Sequence, residues 1–216
     1  MIRRLIRHVL IALLCGALIF VILNVAAWYN LRGQRNMCRN QDFTRFYGLR
    51  VLGMQIADYR EEHGVLPDTL AEIPDVHTIL QQPGEPLLDS WGNPFQYRRE
   101  GETYELFSYG RDGQPGGVGL DADLYVDGRN RERALPTFRQ FFLTNDKDEV
   151  ARDGFLVAGA EAAFLVFCFT LMSLKGTTRT GHPMTAWRYV WFTLVVLVIA
   201  TGMGLMLLPL HIPNGH

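Results

Sequence analysis

FQYRREGETYELFSYGRDGQPGGVGLDAD, residues 95–123, changes character halfway along. Phe95 to Arg99 and Thr103 to Tyr109 are short, aromatic-rich runs joined at Glu100-Gly101. This reads as a β-hairpin, because glycine accepts the positive φ of a tight turn without steric cost. WGNP at 91–94 is the turn that starts it, and Trp91, Tyr97, Tyr104 and Tyr109 read as sheet packing. From Gly110 onward the chain carries glycines at 110, 113, 116, 117 and 119 with Asp112, Asp121 and Asp123 among them, a composition for a curled loop. Upstream, Asn36 to Glu62 repeats apolar or small residues on one face (Phe46, Leu49, Leu52, Gly53, Ile56, Tyr59), the period of a helix that needs a sheet to cover it. Gly64, Pro67, Pro74 and QQPGEP at 81–86 mark the loops between them. The fold class expected is α+β: an N-terminal helix packed on a small antiparallel β-sheet with a glycine-rich loop.

The ends of the 216-residue chain have a different composition. Of its 22 acidic residues all but Glu161 fall between Tyr29 and Asp153, and the net charge is only -1. That acidic middle excludes a nucleic-acid surface. Val9–Trp28, Phe155–Leu174 and Tyr189–Leu210 are apolar runs, each long enough at helical rise to cross the roughly 30 Å hydrocarbon core of a bilayer. Three transmembrane helices are therefore expected around the α+β domain. The resulting division is a first span in 1–28, an exposed domain at 29–130, a connector at 131–153 and two spans in 154–216, at about 155–174 and 189–210. Arg3, Arg4 and Arg7 before the first span, and Lys175, Arg179 and Arg188 between the other two, put the N-terminus and that loop in the cytoplasm by the positive-inside rule. Residues 29–153 are then extracytoplasmic. Val25-Ala26-Ala27 also satisfies the small-residue rule for signal peptidase, so removal of the first segment is a second reading; its apolar run exceeds the 7–15 residues usual there.

The loop allows two chemistries. Carboxylate and carbonyl oxygens on a flexible curl suit calcium, a hard cation that takes 6–8 oxygen ligands, better than the more rigid octahedron of magnesium. Two carboxylates about 5 Å apart repel by roughly 3 kcal/mol at an effective dielectric near 20, so three gathered without a cation would splay the loop. The other reading is three ordinary turn aspartates, solvated and far apart. The EF-hand pattern fails, because Gln114 and Gly116 stand where oxygen ligands are needed. GGVGLDAD matches the calcium-binding nonapeptide once only, with Asp123 in its apolar position.

LLDSWGNPFQYRREGETYELFSYGRDGQPGGVGLDADL closely resembles the C-terminal part of the major pseudopilin of type II secretion systems, protein G. That family carries a D-x-W-G-x-P-[YF]-x-Y turn and strand, a Y-[DE]-[LIV]-x-S strand and a G-x-D-G-x-x-G-G-x-G loop ending in D-A-D-[IL]. QIADYREEHGVLPDTLAEI resembles its helix end, and the likeness covers residues 50–125. It implies a calcium (Ca2+) site in the loop, with Asp112, Asp121 and Asp123 as carboxylate ligands and the carbonyls of Tyr109 and Val118 completing it. It also implies residence at a bacterial inner membrane with a periplasmic domain. The N-terminal segment departs from the family. Pseudopilins are cut just after a glycine and present a glutamate at the fifth mature position, whereas Gly16 is followed by Ala17 and Leu18 and no acid precedes Asp42. Pseudopilins also have one apolar helix, and extracting additional spans into a filament is prohibitive.

Little else carries chemistry. The histidines at 8, 63, 77, 182, 211 and 216 have no ligand spacing, and Ser90, Ser108 and Ser173 lack a nucleophile elbow, so no enzyme and no small-molecule substrate is indicated. Cys38 stands alone in the exposed domain, since Cys15 and Cys168 fall in spans. Glu161 lies in the second span beside Gly154, Ala158 and Ala162, with Ala12 and Gly16 offering a matching small face on the first, so helix packing is the simpler role for that region. In the connector, Leu135, Phe138, Phe141 and Phe142 predict a short helix, either at the membrane surface or beneath the sheet. The function expected is a membrane-anchored, calcium-stabilised, pseudopilin-like interaction or scaffold protein, with the lipid bilayer and proteins of an envelope complex as partners. The alternative is a membrane sensor or transporter subunit with a calcium-regulated periplasmic domain.

Overall fold

The computed structural model describes residues 2–34, 37–143 and 152–179, with isolated positions at 187, 191, 194–196, 198, 199 and 202. The chain divides into two units, Met1–Leu31 with Ala151–His216, and Arg32–Val150.

In the Arg32–Val150 unit the helical period after residue 36 is realised as one continuous helical run. It comprises α2 (Arg39–Phe43), a π-helical stretch (Thr44–Leu49) and α3 (Arg50–His63). Its start is Arg39 rather than Asn36, which lies outside the described residues. The π stretch ends at the buried Leu49, and Leu52 and Ile56 follow on the same buried face. Gly48, inside the π stretch, lies under the Phe95 ring, which a Cβ there would strike. The run ends at Gly64, whose φ of +74° is left-handed and whose N–H reaches the Arg60 carbonyl at 2.8 Å.

The sheet facing this helix has three antiparallel strands in the order β1 (Gln96–Glu100), β2 (Thr103–Ser108), β3 (Leu124–Tyr125). Glu100 pairs with Thr103, so the turn is the two residues Gly101-Glu102, and Gly101 takes φ +63° as the sequence demanded. β3, which no sequence periodicity predicts, pairs Tyr125 with Phe107 and Leu124 with Ser108. Leu49, Leu52 and Ile56 from the helix meet Phe95, Leu106, Ala122 and Leu124 from the sheet in one core, sealed by Leu66, Ile73 and Ala134. Tyr97, Tyr104 and Trp91 line its edge, the packing role expected of them.

The connector forms α4 (Phe138–Phe142), with Phe141 wholly buried. It packs on the domain through Phe141, and Gln140 reaches the Val118 carbonyl of the glycine-rich loop. Its acidic continuation, residues 144–150, lies outside the described residues. Cys38 is buried and outside any disulfide.

In the other unit, α1 (Ile2–Leu31) packs against α5 (Arg152–Arg179). Both are long and apolar enough to cross a membrane. Small residues set the contact: Ala12, Gly16, Ala158 and Ala162 are buried, and a Cβ on Gly16 would stand 3.0 Å from the Ala163 carbonyl. Glu161 points to an exposed face of α5. Three spans were expected, and two such helices are found among the described residues. The third, 189–210, lies outside them apart from isolated positions.

Candidate functional site: the glycine-rich loop and its braces

The loop hangs from two anchors that the D-x-W-G-N-P turn builds. Asp89, 6% exposed, accepts the backbone N–H groups of Trp91 and Asn93 through Oδ1, both at 2.9 Å. Through Oδ2 it accepts the Ser108 hydroxyl at 2.5 Å, and that hydroxyl oxygen in turn accepts the Gly110 N–H at 3.0 Å. Asn93 Nδ2 donates to the Gly110 carbonyl at 2.8 Å, closing the link between the turn and the loop entrance. At Gly110, φ is +72° and a Cβ would press into the carbonyl oxygens of Ala122 and Leu120, at 2.6 and 2.8 Å, so glycine is required there.

Within the loop the five candidate calcium ligands take different partners. Asp121 forms a two-pronged ion pair with Arg111, Nε to Oδ1 at 2.7 Å and Nη2 to Oδ2 at 3.0 Å. Gln140 Nε2 also donates to Asp121 Oδ2 at 2.8 Å. The Val118 carbonyl accepts Gln140 Nε2 at 3.0 Å and the Asp121 N–H at 3.3 Å. Asp123 Oδ1 accepts the Gly116 N–H at 2.9 Å, while the Asp123 N–H returns to the Gly116 carbonyl at 3.2 Å. Asp112 is exposed and caps its own turn by accepting the Gln114 N–H at 3.1 Å. Tyr109 is oriented by its side chain, its hydroxyl accepting Arg98 Nη2 at 3.3 Å and its ring meeting Phe107 edge-on.

These donors decide whether the residues, as arranged, fit a calcium ion. Both Asp121 oxygens and the Val118 carbonyl face hydrogen-bond donors rather than a common centre. Among the described residues no group of three or more His, Cys, Asp or Glu side chains is placed to hold a metal. An ion bound to Asp121 would sit about 5 Å from the Arg111 guanidinium and meet about 6–7 kcal/mol of repulsion at an effective dielectric near 20. The arrangement does not fit the ion.

Two residues outside the predicted ligand set organise this loop. Arg111 stands beside Asp112 in G-R-D-G, the local signal that marks it. Gln140 lies among the apolar residues of the connector. It is fixed by a capping box at the start of α4: Thr137 Oγ1 accepts the Gln140 N–H at 3.2 Å, and Gln140 Oε1 accepts the Thr137 N–H at 3.1 Å. The same Oε1 accepts the Leu120 N–H at 3.3 Å. Gly119, with φ +67°, leaves the room this amide occupies, since a Cβ there would overlap Oε1. Arg133 adds a further tie, its Nε donating to the Gly117 carbonyl at 2.8 Å and its carbonyl accepting the Gly119 N–H at 2.8 Å.

The same unit has a cleft of about 680 Å³ beside the helix, whose lining includes Arg45, Arg50, Arg131, Asp42, Tyr104 and Tyr125. Burial and then the nearby Arg131 lower the proton affinity of the Arg45 guanidinium, which Asp42 partly offsets.

Comparison with known proteins agrees with the domain described. The family described as type II secretion system (T2SS), protein G, matches residues 49–127. A relative, the type II secretion system core protein G of Xanthomonas campestris pv. campestris, is 29% identical over 107 residues. That alignment covers 43% of this chain and 66% of the relative, so the match spans slightly less than two thirds of the relative's length. No solved structure matches the chain. The matched segment holds the helix end, the hairpin, the D-x-W-G-N-P turn and the whole glycine-rich loop, whereas α1 and α5 lie outside it. Residues 49–127 are therefore similar to the type II secretion system protein G family, and the likeness is confined to that segment.

Proposed function

We propose that this chain is a membrane-anchored scaffold of a bacterial envelope assembly of the type II secretion kind, holding its protein G domain in the periplasm. The observation that carries this reading is the order of elements. A protein G domain lies between two helices, α1 and α5, each long and apolar enough to cross a bilayer. A domain tethered at both ends stays at the inner membrane, because drawing about 20 apolar residues of either helix into water is prohibitive. The chain then offers its domain to other components as a fixed docking piece instead of joining a filament as an extractable subunit. The positive-inside distribution supports the orientation, with Arg3, Arg4 and Arg7 near the start of α1 and Lys175 and Arg179 in the last turns of α5. The role is one of binding to other proteins of the assembly.

Crosslinking in intact cells tests this reading. A photo-reactive residue placed at Arg50 or Met54, on the cleft wall, is expected to capture secretion or pilus components of the inner membrane. Purification of the full chain in mild detergent should bring the same proteins down. Recovery of the chain only as an isolated species, with no crosslinked adduct from either position, contradicts the assembly role.

A further inference from the structure

We propose that the 108–123 loop is closed by the chain's own guanidinium and carboxamide, Arg111 and Gln140, in the place where the protein G resemblance puts a divalent cation. The domain then folds and keeps its loop without calcium.

The argument rests on where donors and acceptors point. A cation in such a loop does two things: it neutralises crowded carboxylates and gathers carbonyl oxygens around one centre. Both tasks have protein agents here. Arg111 neutralises Asp121 in the planar two-pronged geometry that suits a guanidinium and a carboxylate, at 2.7 and 3.0 Å. Gln140 gathers the oxygens: one NH2 group serves both the Val118 carbonyl at 3.0 Å and Asp121 Oδ2 at 2.8 Å, bringing two of the expected ligands onto a single amide. The remaining carboxylates are held locally, Asp123 by Gly116 N–H and Asp112 by Gln114 N–H, so neither needs an ion to be oriented.

The construction also explains why Gln140 is itself so constrained. Its side chain is buried, and Thr137 N–H and Leu120 N–H both donate to its Oε1. The buried Phe141 beside it holds α4 against the domain. A carboxamide supplies a donor and an acceptor from adjacent atoms, which lets it bridge the Val118 and Asp121 oxygens to the Leu120 N–H. A glutamate at this position would offer acceptors only and would confront Asp121.

The test uses the full chain in detergent, with calcium ions as the probe and EDTA as the reference. Unfolding is followed by tryptophan fluorescence, since Trp91 sits in the turn that anchors the loop. The wild-type melting midpoint is expected to be the same in millimolar calcium and in EDTA, and calorimetric titration with calcium should give no saturable heat. Arg111→Gln and Gln140→Ala should each melt lower than wild type in both buffers, and calcium should not restore the Gln140 variant. A wild-type midpoint that rises with calcium in a saturable way overturns the proposal, as does either variant melting like wild type. If a variant does not fold, the wild-type titration decides alone. The outcome is separable from the scaffold reading, because it depends on no partner.

Discussion

Asp89 shows how much a single carboxylate can carry. Buried at the turn, it accepts two backbone N–H groups and one hydroxyl, and through Ser108 and Asn93 it fixes the first residues of the glycine-rich loop. Asp89→Ala leaves those donors without an acceptor in a buried place. Each such group costs about 1–3 kcal/mol, so with three of them the urea midpoint of the domain's transition should fall by an amount equivalent to roughly 3 kcal/mol or more. A loss under about 0.5 kcal/mol would show that water replaces the carboxylate. The aspartates of the loop differ in kind, and sequence could not tell them apart. Asp112, Asp121 and Asp123 read alike as a cluster, but one is paired with a guanidinium, one holds a backbone N–H and one is exposed. What separates them is an arginine ten positions from Asp121 and a glutamine nineteen positions on, partners that no local pattern connects.

Among the elements, the hairpin and the helix were legible because each declares itself within a few residues. Gly101 marks the turn, and the spacing of Leu49, Leu52 and Ile56 marks the buried face. β3 was not legible, since two residues hold no period, and its pairing with Phe107 and Ser108 is a long-range choice. The sheet's tyrosines give the domain a pH dependence. Burial raises the pKa of Tyr97 and of Tyr104 above the ordinary value of 10.0, and Tyr97 also donates its hydroxyl to the Pro67 carbonyl at 2.7 Å. A phenol raised on folding contributes stability that is fully present below pH 10 and is lost as pH rises through its folded value. Alkaline titration should therefore show phenolate absorbance and loss of far-ultraviolet dichroism advancing together above pH 10. Tyrosines ionising at their ordinary value with the fold intact would contradict this placement. The small face on α1 makes a separate prediction. Gly16→Val should drive side-chain atoms into the Ala163 carbonyl of α5 and weaken the α1–α5 contact by about 1–3 kcal/mol, seen as a lower melting midpoint in detergent. An unchanged midpoint would mean that the two helices do not depend on this approach.

For the whole molecule, the sequence resolves the order of parts better than their use. The segment similar to protein G spans residues 49–127, with α1 before it and α5 after it. The cleft chosen for crosslinking is lined by residues dispersed over helix and sheet, which no short motif encodes. The account stands on anchorage at both ends of the domain, and membrane topology measures that directly. On the proposed topology, fusions of alkaline phosphatase after residue 130 should be active, with the domain in the periplasm, and fusions after residue 178 should be inactive, with α5 returning the chain to the cytoplasm. Phosphatase activity at both positions would place α5 outside the membrane, leave the domain held by one helix at most, and contradict the account.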